Sequence, residues 1–169
     1  MAAQGCFDSA RDDLIITSGA QQGNELACKV LCDEGDTLIC ESPSFIGSLN
    51  AFRSYHVNLV GVEMEEDGIK LDLLEDALRT AKKAKLIYLI PNFQNPTGRT
   101  MSLAKRKAVY ALAQKYNAMI LEDNPYGDLR FAGEDIPAIK TLDTDGRVIY
   151  TGTFSKILAP GLRVGYVSA

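Results

Sequence analysis

Hydrophobic and polar positions follow two alternating patterns along the chain, one typical of strands and one typical of helices. Short runs rich in aliphatic and β-branched residues, bounded by Gly, Pro, Ser or Asp, predict strands. Seven such runs occur, at residues 14–17, 37–40, 57–62, 85–90, 118–121, 148–151 and 162–168. Between them, apolar residues recur every three to five positions, which predicts helices over residues 20–35, 44–55, 71–81 and 102–116.

The order of these elements predicts the fold class. Strands that alternate with helices through the first two-thirds of the chain indicate βαβ units. They therefore predict a three-layer α/β fold, with helices on both faces of a mostly parallel sheet. Only about ten residues separate the last two predicted strands, fewer than the dozen or more that a parallel crossover requires. We therefore predict a seven-stranded sheet whose last strand runs antiparallel.

The start of the fourth predicted helix carries a capping residue and a group of cations. Ser102 precedes the first helical residue and is expected to accept a hydrogen bond from the first turn. Lys105, Arg106 and Lys107 follow in that turn and are expected on the outer, solvent-facing side of the helix.

Composition and charge exclude several classes of protein. The 169 residues are 46% hydrophobic, as in one domain with a substantial core, and a net charge of -4 gives no basic footprint for nucleic acid or anionic membrane. No apolar run approaches the roughly 18 residues of a membrane span, and no signal-peptide pattern opens the chain. Among the four cysteines, Cys28 and Cys32 are expected as small buried hydrophobes rather than metal ligands. A reduced, cytoplasmic protein is therefore expected.

Polar residues that are unusual at strand ends follow the predicted strands. In open α/β sheets, ligands bind at the carboxyl ends of the strands. The segments in question are Ser18–Gln21, Pro43–Phe45, Pro91–Gly98, Asp123–Tyr126 and Thr153–Lys156. Their convergence at one edge of the sheet predicts a single ligand site.

Lys156 is the residue that an ordinary surface position explains least well. It lies on a short link between two predicted strands, next to the hydroxyls of Thr153 and Ser155. Arg163 follows seven residues later, at the start of the next β-rich run. A lysine held beside hydroxyl groups and a guanidinium indicates amine chemistry next to a bound anion.

The other candidate residues each have an ordinary structural explanation beside the functional one. The helix start at Ser18–Gln21 presents free N–H groups that favour an anion, although a simple helix cap has the same sequence. Asn95–Gly98 fits a turn, and Phe45 and Tyr126 fit core positions. Asp123 is more telling, because a carboxylate at the end of a buried strand is costly unless a cation pairs with it.

Taken together, these segments resemble the fold type I pyridoxal-phosphate aminotransferases of class I/II. Within that group they look closest to the 2-aminoadipate and kynurenine enzymes. The strings that carry the resemblance are SGAQQG (Ser18–Gly23), ESPSF (Glu41–Phe45), PNFQNPTG (Pro91–Gly98), EDNPYGDLRF (Glu122–Phe131) and TFSKILAPGLRVGY (Thr153–Tyr166). Five motifs in the family's order over nearly the whole chain make the resemblance specific.

The resemblance implies a role for each candidate residue. Lys156 would carry the cofactor as a Schiff base and transfer the substrate proton, while Asp123 would pair with the pyridine nitrogen. Tyr126 and Asn95 would hydrogen-bond to the 3′ oxygen attached to the cofactor ring (the ring oxygen). Phe45 would stack on the ring, in a place where the family often has tyrosine or tryptophan. The phosphate would be bound by Gly19, Ala20, Gln21, Thr153, Ser155 and Arg163.

The resemblance covers the cofactor-binding large-domain core, residues 1–169, and the chain ends inside a predicted strand, as expected for a piece of a larger protein. It implies amino acid and 2-oxo acid substrates, a homodimer in the full-length protein, and no nucleic-acid or membrane partner. The isolated chain is expected to lack efficient activity, because the family's carboxylate-binding arginine lies in a small domain. Three alternatives stay open: a β-lyase on the same fold, the aminotransferase-like effector domain of a transcription regulator, and a catalytically silent fragment.

Overall fold

The computed structural model describes residues 5–169, which contain eight strands and four α-helices. The strands are β1 Leu14–Thr17, β2 Thr37–Ser42, β3 Asn58–Glu65, β4 Gly68–Ile69, β5 Ala84–Leu89, β6 Met119–Asp123, β7 Val148–Thr153 and β8 Gly165–Ser168. The helices are α1 Ala20–Leu31, α2 Ile46–Ser54, α3 Leu71–Thr80 and α4 Leu103–Tyr116. All seven predicted strands and all four predicted helices are therefore present.

All eight strands form one sheet in the order β1-β8-β7-β6-β5-β2-β3-β4. The central pairs, from β3 through β2, β5 and β6 to β7, are all parallel. Strand β8 runs antiparallel between β1 and β7, which confirms the direction predicted from the short β7–β8 connection. The prediction of seven strands is wrong by one. The additional strand, β4, is a two-residue strand that pairs antiparallel with β3, and so short a run carries no periodicity to recognise.

Each central strand contributes side chains to two separate cores, because successive residues point to opposite faces of the sheet. One core lies on the side of α3 and α4, and the other lies on the side of α1 and α2. The first includes Ile39, Leu74, Ile87, Val109 and Ile120. The second includes Cys28, Leu38, Phe52, Leu86 and Leu121. The three-layer arrangement is thus confirmed, and Cys28 and Cys32 are buried hydrophobes as predicted.

The prediction for the first turn of α4 is only partly correct. The Ser102 side chain does cap the helix, accepting a hydrogen bond from the backbone N–H of Lys105 at 3.3 Å. Lys107 is exposed, but Lys105 and Arg106 are buried instead of facing solvent. The Arg106 guanidinium is tolerated inside because each of its five N–H groups has an acceptor. These acceptors are the carbonyls of Pro91, Met101, Ile136 and Pro137 and the side-chain oxygen of Asn92.

Residues 5–169 contain neither a cluster of metal-ligand side chains nor a membrane-spanning helix. Within residues 5–169, no three or more His, Cys, Asp or Glu side chains are grouped as metal ligands would be. None of the helices in this range has the length and apolar composition needed to cross a membrane.

Candidate active site

The predicted site residues lie at the carboxyl-end edge of the sheet. Asp123 is the last residue of β6 and Thr153 the last residue of β7. Phe45 lies between β2 and α2, and Asn95 lies in the connection that follows β5. Gly19 joins β1 to α1 at the same edge. The parallel strands therefore bring residues that are far apart in sequence to one side of the molecule.

The start of α1 and the β7–β8 connection form a small cradle, made by Ser18, Gly19, Ser155 and Arg163. Arg163 donates from Nη1 to Ser155 Oγ and from Nη2 to the Ser18 carbonyl, each at 3.3 Å. Gly19 has a φ of 78°, and a side chain there would collide with the Arg163 guanidinium. Helix α1 begins without a side-chain cap and without an acidic residue in its first turn. Its N–H groups and Arg163 together make a site for an anion.

Arg163 differs in one respect from its predicted place. It does not open the last strand, because it follows the 3-10 turn Pro160–Leu162 with a left-handed φ of 51°, and β8 begins two residues later. This turn directs the guanidinium back toward the start of α1. In a strand, the side chain would instead point to one face of the sheet.

Thr153 braces the connection that carries Lys156. Its Oγ1 lies 3.0 Å from Ser155 Oγ and 3.2 Å from the Val164 carbonyl, and it accepts a hydrogen bond from the Ser155 N–H at 3.1 Å. Lys156 follows directly and is exposed. Its amine is therefore accessible to a ligand at the edge of the sheet, one residue beyond the cradle.

Asp123 lies in the interior, where its side chain is held by uncharged hydrogen-bond donors. Its Oδ2 accepts from Asn24 Nδ2 at 2.7 Å and from the Tyr88 hydroxyl at 2.8 Å, and the Thr151 hydroxyl lies 3.4 Å from Oδ1. Burial raises the pKa of Asp123, and the three hydrogen bonds oppose this rise only in part. In the described chain no cation contributes to its pKa, so a cationic ligand group would stabilise the ionised carboxylate.

The partners of Asp123 are functional candidates that the sequence reasoning missed. Asn24 donates to Asp123 and accepts from the Thr151 hydroxyl at 2.8 Å, and the Tyr88 hydroxyl lies 3.0 Å from Ser48 Oγ. Asn24 lies four residues after the start of α1, close to the helix end that was predicted to bind an anion, and this proximity is only a weak signal. Tyr88 lies inside the apolar run of β5, where only its hydroxyl group indicates that a hydrogen-bond partner is needed.

Three further predicted site residues, Asn95, Tyr126 and Phe45, lie in segments that follow β2, β5 and β6. Asn95 Nδ2 donates to the Tyr126 hydroxyl at 3.3 Å, so these two residues form a pair. The Phe45 ring folds over Gly47, where an added Cβ would come within 2.6 Å of the ring. The side-chain amide of Gln21 lies 3.4 Å from the Gly47 carbonyl, which places α1 beside the Phe45 segment.

A cavity of about 610 Å³ opens beside the Asn95–Tyr126 pair. Its walls are mainly apolar, and they include Phe93, Pro96, Leu129 and Phe131. Phe131 is 96% exposed, which is unusual for a phenylalanine in a folded chain. The cavity gives room for a ligand next to the polar pair.

Known proteins resemble this chain over nearly its full length. The family model for aminotransferase class I and II matches residues 4–169. Aromatic-amino-acid aminotransferase 1 of Thermococcus litoralis is 45% identical over 161 residues, which cover 93% of this chain and 39% of that protein. The uncharacterized HTH-type transcriptional regulator YisV of Bacillus subtilis is 37% identical over 155 residues, covering 92% of this chain and 32% of the regulator.

A solved structure of a related enzyme has the same fold as this chain. The crystal structure of Pyrococcus horikoshii kynurenine aminotransferase, in complex with PMP, superposes with a TM-score of 0.91 and 42% sequence identity. The match covers 95% of this chain and 41% of the Pyrococcus chain. The chain thus spans about two fifths of the length of these aminotransferases. With five motifs at one edge of the sheet and a family match from residue 4 to residue 169, the chain belongs to the class I and II aminotransferase family.

Proposed function

We propose that this chain is the cofactor-binding large-domain core of a pyridoxal-phosphate-dependent aminotransferase, which transfers an amino group between an amino acid and a 2-oxo acid. The observation that carries the proposal is the buried carboxylate of Asp123. It lacks a cationic partner in the described chain and lies at the same sheet edge as the anion cradle and the exposed Lys156. The proposal includes a cytoplasmic location and a homodimer for the full-length protein.

The residues present fit pyridoxal phosphate group by group. The cradle of Ser18, Gly19, Ser155 and Arg163 offers N–H groups, a hydroxyl and a guanidinium, the donor set that a phosphate requires. A side chain at Gly19 would collide with the Arg163 guanidinium, so glycine is needed here to keep Arg163 close to the start of α1. Ala20, Gln21 and Thr153 would complete the phosphate site.

The remaining cofactor groups also have matching partners. Asp123 would hold the protonated pyridine nitrogen, Asn95 and Tyr126 the ring oxygen, and Phe45 one face of the ring. The related Pyrococcus enzyme was crystallised in complex with PMP, which supports a pyridoxal-phosphate cofactor for this family. When bound, the cofactor supplies an electron sink that stabilises negative charge at the substrate α-carbon.

In this reaction the chain's own residues would bind and orient the cofactor and would transfer a proton. Lys156 Nζ would act as general base and accept the proton from the α-carbon of the amino acid. Asn24 and Tyr88 would keep the Asp123 carboxylate oriented and hydrogen-bonded. Asn95 donates to the Tyr126 hydroxyl and so leaves the phenolic proton free to point at the ring oxygen.

The proposal is tested by adding pyridoxal phosphate, recording the absorbance spectrum, reducing with borohydride and mapping the labelled peptide. We expect a label on Lys156 that is absent from Lys156→Arg. Lys107→Arg is the matched control, because Lys107 is also exposed but lies on α4. A label that persists in Lys156→Arg or that maps to another lysine would refute the assignment.

A second candidate function is favoured by the similarity to the Bacillus regulator. A related large domain in a transcription regulator would bind the same cofactor and serve as an effector domain. The two candidates differ in turnover, so the full-length protein should be assayed for transfer of an amino group from a panel of amino acids to 2-oxoglutarate. Cofactor binding at Lys156 without transfer would favour the effector domain.

A further inference from the structure

Gln94 is buried between two segments that carry proposed cofactor contacts, and every hydrogen-bonding atom of its side chain is used. It is 1% exposed. Nε2 donates to the Pro43 carbonyl at 2.8 Å and to Glu41 Oε2 at 3.3 Å. Oε1 accepts from the Thr97 N–H at 3.0 Å and from the Thr97 hydroxyl at 2.7 Å. A side-chain amide has two donors and one acceptor oxygen, so no apolar residue of similar size can replace these bonds.

The backbone of Gln94 closes the same turn. Its N–H donates to the Arg99 carbonyl at 2.7 Å, and its carbonyl accepts from the Gly98 N–H at 2.6 Å. Residues 94–99 are therefore organised around Gln94. Asn95, the proposed ring-oxygen contact, is the next residue in this turn.

Glu41 anchors the other end of the arrangement. It is 1% exposed, and Oε2 accepts from the Ile90 N–H at 3.1 Å as well as from Gln94. This carboxyl group joins the end of β2 to the residue that follows β5. Oε1 has no hydrogen-bond partner in the described chain. Nothing in the proposed reaction uses Glu41, so its burial requires another explanation.

We propose that Gln94 and Glu41 form a clamp that sets the position of the Asn95 turn relative to the Phe45 segment. Pro43, which accepts from Gln94, lies two residues before Phe45, so the clamp connects the proposed ring-oxygen contact with the proposed stacking ring. Gln94 and Glu41 are positioning residues in this scheme, since they act through Asn95 and Phe45. The inference rests on the proposed function for its catalytic meaning, but the clamp itself is a property of the polypeptide.

The first test measures the clamp without cofactor, by amide hydrogen exchange followed with mass spectrometry. Gln94→Leu should accelerate exchange by about tenfold or more in residues 95–99 and in residues 44–47 together, because both segments lose the same anchor. Gln114→Leu is the matched control, since this glutamine is exposed and lies on α4, where its side-chain amide donates to the Tyr110 hydroxyl at 3.4 Å. Acceleration confined to residues 95–99 would overturn the coupling.

A milder variant covers the case in which Gln94→Leu does not fold. Thr97→Val keeps the shape of the side chain and removes the hydroxyl, which donates to Gln94 Oε1 at 2.7 Å and accepts from the Arg99 N–H at 3.3 Å. It should produce the same pattern of exchange with a smaller acceleration. No change in either segment would overturn the clamp.

The second test measures the effect on the cofactor bound at Lys156. In Gln94→Leu, the displaced Asn95 would no longer donate fully to the ring oxygen, and these hydrogen bonds favour the deprotonated form of the cofactor bound at Lys156. The pH at the midpoint of its absorbance change should therefore rise by about one unit. Gln114→Leu should leave the midpoint unchanged, and an unchanged midpoint in Gln94→Leu would overturn the positioning role. Failure of the unmodified chain to form any cofactor adduct at Lys156 would refute the proposed function, and hydrogen exchange would still decide on the clamp.

Discussion

The replacement Glu41→Gln should make the chain more stable at neutral and alkaline pH. Burial raises the pKa of Glu41 from 4.5 to about 8, and the nearby charge of Asp123 contributes to the rise. Hydrogen bonds from the Ile90 N–H and Gln94 oppose it without cancelling it. Glutamine keeps an acceptor oxygen for these two donors and cannot ionise. It therefore resembles the protonated form of the glutamate.

The sign of the effect follows from proton linkage. The folded chain binds the Glu41 proton more tightly than the unfolded chain, so this stabilisation is complete below the unfolded pKa of 4.5. It is lost as pH rises from there to about 8. At about 1.4 kcal/mol per unit of pKa difference, ionisation lowers the free energy of unfolding by about 3 kcal/mol at pH 7 and by about 5 kcal/mol above pH 9. Glu41→Gln avoids this loss.

The assay is urea denaturation of both proteins, followed by far-ultraviolet circular dichroism at each pH from 5 to 9. The advantage of Glu41→Gln should be below about 1 kcal/mol at pH 5 and should grow to about 3 kcal/mol at pH 7, which corresponds to about 6 to 12 °C in Tm. Glu66→Gln, an exposed glutamate between β3 and β4, is the control and should show no trend. A difference that stays constant from pH 5 to pH 9 would refute the reasoning.

Three further predictions concern buried or crowded positions. Arg106→Met should lower the free energy of unfolding by about 3 to 5 kcal/mol in urea, because five acceptors lose their buried donor; a loss below 1 kcal/mol would show that they find other partners. Gly19→Ala should lower the free energy of unfolding by about 1 to 3 kcal/mol, because of the positive φ and the collision with Arg163. It should also weaken pyridoxal phosphate binding, measured by titration, by at least about tenfold. Unchanged affinity would contradict the cradle. Asp123→Asn should abolish tight binding of pyridoxal phosphate. The apo variant should be at least as stable as the unmodified chain at pH 7, because burial raises the pKa of Asp123 and its ionisation therefore opposes folding. A less stable apo variant would contradict this.

The candidate site could be located from sequence because of a general property of parallel sheets. Strands that run the same way place their carboxyl ends at one edge, so the residues that follow each strand must meet there. Asp123 and Thr153 end neighbouring parallel strands, and Asn95 follows the strand on the other side of β6. Their common location required no knowledge of side-chain contacts.

The hydrogen bonds around these residues could not be predicted in the same way. The partner of Asp123 on α1, Asn24, is 99 positions away in the chain, and Tyr88 is 35 positions away. Several polar residues of the same type compete for each such role, and only the packing of helix on sheet selects one. The clamp of Gln94 with Glu41 joins residues 53 positions apart and is hidden for the same reason.

Local sequence patterns predict the order of strands and helices, the antiparallel direction of β8 and the edge of the sheet at which the candidate site residues gather. These depend on local periodicity and connection length, which act over a few residues at a time. Which charged side chains are buried, in contrast, depends on contacts that exist only in the folded chain. Arg106 is adjacent to exposed Lys107 in the first turn of α4, on the helix face that also carries buried Val109. Its charge is tolerated there because four of its five acceptors come from segments 14 to 31 residues away in the chain. Desolvation and hydrogen bonding are properties of the assembled surroundings, so local pattern alone cannot specify them.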